Sequence, residues 1–422
     1  MNRKSQFFSL FLFLMLCIQS TGLIASTQIS NPRALSLAGS YIALAKGIES
    51  PHWNPANLGL HESNLFSMNL FSFGIGINNN SFSKSQYDMY NGSTLTKEDL
   101  ETILNSIPDD GLDVDLLANT ELLGFAYGNY AFTISGVGAV RATVAKDIPA
   151  LLPGNELDRV YNLSDCNATG WSYIAYGFSG AYPIQVERVE KFAIGASLKF
   201  LQGLYGGKID NFAGTIKTDE SYLYSQADGA YSYAKGGNGF AIDFGVASKI
   251  NRKWSVGLSF SNLINSLSWK KDAERTDFIL APDSLNLYEI TQVNDKDSVF
   301  NIDDTTNSIG SFSMGLPRQL RLGAAYFGGR YIITVGYIQG FSDGPGATKT
   351  PQLASGIEFS PLRWLPLRLG LGVGGQEKLL SAVGLGLKFG TFQFDIAATN
   401  QGSLLPANRQ GSTLAFGIRF IP

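Results

Sequence analysis

The feature that most constrains this chain is a rhythm in how its strands are joined. From residue 65 onward, stretches alternate apolar and polar residues with the period of two that a strand imposes. Fourteen such stretches stand out. They are Leu65–Ile77, Glu121–Tyr127, Tyr130–Val140, Trp171–Tyr182, Lys191–Tyr205, Gly239–Ile250, Lys253–Leu263, Arg318–Phe327, Arg330–Gln339, Pro351–Ser360, Leu365–Gly374, Leu379–Phe389, Phe392–Thr399 and Ser412–Ile421. Short links such as Gly128-Asn129, Asn251-Arg252, Gly328-Gly329 and Gly390-Thr391 follow every second stretch. The other links are long, up to 43 residues at Asn78–Thr120 and 54 at Ile264–Pro317, with Gly375–Lys378 the short exception. Tight turns at one end, long loops at the other and an even strand count describe a transmembrane antiparallel β-barrel. Both chain ends then lie on the short-turn side.

The faces agree with this reading. Phe392, Phe394, Ile396 and Ala398 oppose Gln393, Asp395 and Ala397; Val383, Leu385, Leu387 and Phe389 oppose Gly384, Gly386 and Lys388. A soluble sandwich would alternate in the same way. It would have no reason to collect Tyr127, Tyr130, Trp254, Phe327, Tyr331, Trp364, Phe389 and Phe392 beside its short turns. A membrane barrel does, as an interfacial girdle. The alternation changes phase between Leu70 and Phe71, which predicts a bulge there, and again near Tyr173–Ile174. Within Asn78–Thr120, Thr96 to Ile107 carries a cap and helical spacing at Leu100, Ile103, Leu104 and Ile107, so a short helix is expected in a surface loop.

Composition narrows the class further. Glycine accounts for 47 of 422 residues, against an average near ~7 %. Mean hydropathy is near zero, as expected when each strand hides only every second residue. The formal net charge of −3 argues against a nucleic-acid partner, which calls for a clustered basic face.

Before the strands come two segments of different character. Met1–Gln6 carries Arg3 and Lys4, Phe7–Ile18 is an apolar run of 12 residues, and small residues follow. This is the order of a secretory signal, and the run is shorter than the ~20 residues a spanning helix needs. We assign 1–26 to the signal, 27–64 to a plug (hatch) and 65–422 to the barrel. The plug core, Asn31–Leu60, is small, Gly/Ala-rich and mostly apolar, yet holds Arg33, Lys46 and Glu49. It closes on Asn54-Pro55-Ala56-Asn57, a turn signal.

Chemistry is sparse. His52 and His61 flank the plug at a spacing that fits no standard zinc pattern, and no cysteine pair accompanies them. No G-x-S-x-G elbow is present, and no strand candidate carries a histidine, so the expectation is no enzyme, no metal and no cofactor. The polar residues on the faces turned inward are Lys199, Asp243, Arg321, Glu358, Arg368, Lys388, Asp395 and Arg419. Glu358 and Arg368 are expected one diagonal apart, and Lys388 and Asp395 likewise. They are read either as structural ion pairs or as a polar lining for a ligand headgroup. The other inward positions are mainly Gly, Ala and Ser, with no dense apolar patch, which leaves room for a plug.

Arg33-Ala34-Leu35-Ser36-Leu37-Ala38-Gly39-Ser40, Ile42-Ala43-Leu44-Ala45 and Trp53-Asn54-Pro55-Ala56-Asn57-Leu58-Gly59 resemble the N-terminal signature of FadL/TodX-type outer-membrane proteins and their PorV-like relatives. The resemblance implies an outer-membrane localisation, a hatch centred on Trp53, Asn54, Pro55, Ala56 and Asn57, and passive uptake of hydrophobic small molecules of fatty-acid or hydrocarbon type. Its expected partners are outer-membrane lipid and such a ligand. The PorV-like relatives imply the alternative: a scaffold for a secretion or surface protein, in which the bore is not a path. Lys46-Gly47-Ile48 departs from the acidic residues usual after the Ala-Leu-Ala run.

Overall fold

The structure, a computed structural model, describes residues 29–60, 66–93, 95–151, 156–286, 302–376 and 378–421, without the side chains of 281–286 and 302. The signal assignment 1–26 and His61 lie outside these residues.

Fourteen strands form the wall. They are β1 (Phe66–Asn79), β2 (Leu112–Tyr127), β3 (Tyr130–Val144), β4 (Asn167–Ile184), β5 (Lys191–Thr218), β6 (Gly237–Asn251), β7 (Trp254–Trp269), β8 (Gln319–Phe327), β9 (Tyr331–Gly340), β10 (Gln352–Leu362), β11 (Leu365–Gly374), β12 (Leu379–Phe389), β13 (Phe392–Gln401) and β14 (Gly411–Phe420). Each pairs antiparallel with its neighbours, and β1 pairs with both β2 and β14, so the sheet closes. A closed barrel leaves no strand edge in the wall, the condition for crossing lipid.

The phase slip in β1 is a bulge. Asn69 faces Arg419 and Phe71 faces Ile418, which leaves Leu70 unpaired against β14. Ser67 and Asn69 point inward below it, and Ser72 and Gly74 above it. The bulge therefore keeps Phe66, Met68, Phe71, Phe73 and Ile75 on one outward face. Leu122 does the same in β2. The slip expected at Tyr173–Ile174 is not in β4, which alternates without interruption. The extra residue is Leu204 of the partner strand β5, opposite Ser172 and Tyr173.

At the short-turn end the aromatic girdle is present with one change. Tyr127, Tyr130, Trp254, Tyr331, Trp364, Phe389 and Phe392 are exposed on the outside. Phe327 instead turns inward, under the Lys46 ammonium at 5.4 Å. Tyr326 takes the outward place, 5.0 Å from Trp254.

At the long-loop end the strands run further than the alternation of apolar residues suggests. The upper part of β5 pairs with Tyr222–Ala234, which pairs with Glu274–Asn286, which pairs with Ile302–Ser308. Val160–Asn162 adds to the other side of β5. Much of the expected loops 206–238 and 264–317 is thus a five-stranded sheet continuing beyond the wall. The capped helix is where the sequence puts it, at Lys97–Ser106. Thr96 caps it, and the Thr96 hydroxyl and amide donate to the Asp99 carboxyl and hold it below the usual range.

Candidate functional site

Residues 29–60 lie inside the barrel. Lys46 is the single exposed residue of this segment. The segment follows the wall closely because the wall presents glycine to it. Gly74, Gly417, Gly384, Gly370, Gly356, Gly336 and Gly323, on seven strands, meet Ile29, Pro32, Ser36, Leu37, Leu37, Ser40 and Ile42 in turn. A Cβ on Gly370 would stand 2.5 Å from the Ala38 amide nitrogen, and one on Gly195 the same distance from that of Ala56. Both are well inside contact distance. The inward glycines counted in the sequence are the bed of the plug.

The plug is folded on itself as well. Asn57 Nδ2 donates to the carbonyls of Ile42 and Ala45 at 2.8 and 2.9 Å, tying its two limbs together. Asn54 Nδ2 donates to the Val246 carbonyl at 2.9 Å, and its Oδ1 accepts from the Ala56 amide at 3.1 Å. Trp53 meets Tyr41 edge-on at 5.5 Å. Pro55 and Ala56 are buried against Gly245 and Gly195.

Six charges join plug to wall in a closed circuit. Arg33 donates twice to Glu358, at 2.8 and 2.9 Å. Glu358 also accepts from Arg368 Nε at 2.6 Å, and Arg368 Nη1 donates to Asp395 at 2.6 Å. Asp395 is bonded to Arg419, and Arg419 to Glu49. Glu49 returns to Arg33 at 3.8 Å. The signs alternate around the ring and cancel, which is how buried charge is tolerated. The Tyr41 hydroxyl donates to Glu49 at 2.5 Å, and Gln393 Nε2 to Asp395 at 2.9 Å. Glu358 and Arg368 are direct cross-strand partners rather than diagonal ones. Lys388 makes no ion pair with Asp395 among the described residues. It is diagonal to Asp395 as expected, since Lys388 stands opposite Gln393 and Asp395 opposite Gly386, but it is exposed at the short-turn rim. Arg33 and Glu49 were legible as charges in an apolar segment but not as members of this ring.

Lys199, Asp243 and Arg321 lie apart from the ring. Lys199 Nζ is 2.6 Å from Asp243 and donates to Asn262 Oδ1 at 3.2 Å. Arg321 donates to the His52 carbonyl and Ser261 Oγ at 3.1 Å and to Gln319 Oε1 at 2.8 Å, beneath the Trp53 ring. His52 Nε2 is 3.6 Å from Glu121. A cavity of about 40 Å³ lies among these groups. Among the described residues no cluster of three His, Cys, Asp or Glu could hold a metal ion.

Toward the long-loop end the lumen changes character. Leu117, Trp171, Tyr173, Leu201, Leu267, Trp269, Met314 and Leu316 form one buried apolar cluster. Trp269 is fully buried, its ring filling the notch left by Gly203 and Gly206. A dense apolar lumen patch, which the sequence did not reveal, therefore exists. Leu117, Leu267, Trp269, Met314 and Leu316 fall in segments that read as loops.

A family model described as a family of unknown function, DUF5723, matches residues 55–235 and 225–398. The chain belongs to that family. Among solved structures, the toluene transporter TodX of P. putida is 11% identical, covers 95% of this chain and 98% of its own, with a TM-score of 0.50. A Pseudomonas aeruginosa FadL homologue is also 11% identical, covers 95% and 99%, and has a TM-score of 0.52. The monoaromatic hydrocarbon channel CymD is 13% identical, covers 95% and 99%, and has a TM-score of 0.50. No curated protein matches the chain. This member of DUF5723 has the fold of the FadL/TodX-type outer-membrane barrels.

Proposed function

We propose that the protein is a passive outer-membrane channel for small hydrophobic molecules, closed in this state by the plug. The observation that carries the reading is the apolar cluster around Trp269, which faces the lumen above the plug. Ligand sites are mainly apolar with a few placed polar groups, and polar solute channels have no use for such a patch. Met314 gives the cluster an adaptable side chain. A ligand would settle there from the long-loop side and leave once the plug yields. No step of this is chemical, so the protein acts as a conduit and not as a catalyst.

The test is uptake of toluene and of a long-chain hydrocarbon into proteoliposomes. Leu201→Asn and Trp269→Ala should each lower uptake several-fold without changing the barrel's heat-modifiable mobility on gels. Uptake unchanged in both would sink the reading. A plug variant with Asn54→Ala and Pro55→Ala should keep the barrel and raise leakage of small dyes; unchanged leakage argues against gating.

A second reading is supported by the sheet beyond the wall. Its outermost strand, Ile302–Ser308, pairs on one side only among the described residues. An open edge can accept a strand from another chain. A scaffold for an exported protein would co-purify that protein, and deletion of the sheet would release it.

A further inference from the structure

Each arginine of the plug–wall ring has a carboxylate partner; Arg321 has none among the described residues. Arg321 is 2 % exposed. Its partners are a carbonyl, a hydroxyl and an amide oxygen. Its Nε has no partner at all. One face of the guanidinium is covered by the Trp53 indole, 4.9 Å to the centroid. One nearby carboxylate is taken up elsewhere. Asp243 is held by Lys199 at 2.6 Å and by the Asn262 amide at 2.7 Å. Glu121 is 3.6 Å from His52 Nε2, beyond hydrogen-bond distance, and makes no ion pair with Arg321 among the described residues. A buried cation without a counter-charge is costly in a low-dielectric interior, so the place where the charge is missing is informative.

A cavity adjoins Arg321. The 40 Å³ space beside Arg321 is also lined by Lys199, Ser179, Ser197 and Asn262. Such a volume holds about three waters, the size of one compact polar group. The Ser179 and Ser197 hydroxyls share one hydrogen bond of 2.7 Å, which leaves one of their two protons for another acceptor. Lys199 has three ammonium protons, and two partners are seen for them. A guanidinium, an ammonium and hydroxyls therefore line the cavity, with no acidic side chain among its lining residues.

We propose that this cavity binds one small oxyanion, which supplies the charge that Arg321 lacks. The chemistry fits a free inorganic oxyanion and equally the carboxylate end of an amphiphile, whose chain would continue past Tyr173 and Leu201. The inference does not depend on the channel reading, because a bound anion would serve a scaffold as well.

The experiment is titration calorimetry, with thermal unfolding in parallel, on the full chain in a neutral detergent. The probes are inorganic phosphate, octanoate and octanol. Saturable one-to-one binding of phosphate, weakened at least tenfold by Arg321→Gln and several-fold by Ser197→Val, supports a free oxyanion. Binding of octanoate but not of phosphate, with the same loss in both variants, supports the amphiphile source. Binding of neither, or octanoate affinity equal to octanol and unmoved by Arg321→Gln, overturns the proposal. The latter result would leave the channel reading intact. If Arg321→Gln fails to fold, Ser197→Val and competition between phosphate and octanoate for the wild type decide the same question.

Discussion

The plug is held in two unlike ways. Against β10 to β14 it is fixed by the six-charge ring, in which Arg33 and Glu49 meet Glu358, Arg368, Asp395 and Arg419. Against β5 to β8 it is held by neutral hydrogen bonds from Asn54 to Val246 and from Ser259 to the Trp53 carbonyl, and by Arg321, an arginine without a carboxylate that donates to the His52 carbonyl beside a cavity. The first contact is closed and charge-balanced. The second is the one with room. A plug that moves would swing about its ring and detach first on the cavity side.

The largest expected effect comes from cutting the ring. Arg368→Met strands Glu358 and Asp395 in the interior, and removing one partner of a buried pair costs about 3–5 kcal/mol. Arg321→Met removes a cation without a carboxylate together with its hydrogen bonds to the His52 carbonyl, Ser261 and Gln319, so it strands no charge and should cost less than Arg368→Met. Equilibrium unfolding in detergent measures both. Equal losses would erase the distinction between the two sides.

A smaller loss separates wall from plug. Leu369 neighbours Arg368 on β11 but points outward, 59 % exposed. Leu369→Arg should cost ~2–4 kcal/mol if it lies near the membrane midplane, and Phe394→Arg likewise. The loss should appear in the assembly of the barrel and be the same with or without residues 31–60. The Arg368→Met loss should shrink when the plug is deleted along with Arg33 and Glu49. A lipid-face penalty that follows the plug would mean the faces are assigned wrongly.

The wall was legible and the upper lumen was not, for one physical reason. Strands that meet lipid on one side must carry apolar residues at every second position, so Leu365–Gly374 and Phe392–Thr399 announce themselves. Above the membrane that demand lapses. Tyr222–Ala234 pairs through its backbone with small inward residues such as Ser225, Ala227 and Gly229, and its alternation is of size rather than polarity. Trp269 and Met314 were lost with it, since their inward direction follows from pairing partners far away in sequence. The plug was legible from its small residues and its Asn-Pro-Ala-Asn turn. The ring was half legible. Arg33 and Glu49 were visible as charges in an apolar segment, but their partners lie some 300 residues away across the barrel and only the closed wall brings them together. Phe327 shows the opposite failure. Aromatic character near a turn said girdle, while the strand phase set by Arg321, Gly323 and Ala325 turned it inward.

The effect of shortest reach concerns the neutral side. Asn57→Ala removes the donor shared by the Ile42 and Ala45 carbonyls, and each buried acceptor left unpaired costs about 1–3 kcal/mol. Both carbonyls belong to the plug, so the barrel wall should assemble as before, while the limb Asn54–Leu60 loses its tie to the limb that lies on β7 and β8. Hydrogen exchange should then rise in residues 52–60 and stay low in residues 31–38, which the ring still holds. Exchange that rises along the whole segment together would show a single cooperative plug, and the two-sided account of its attachment would fall.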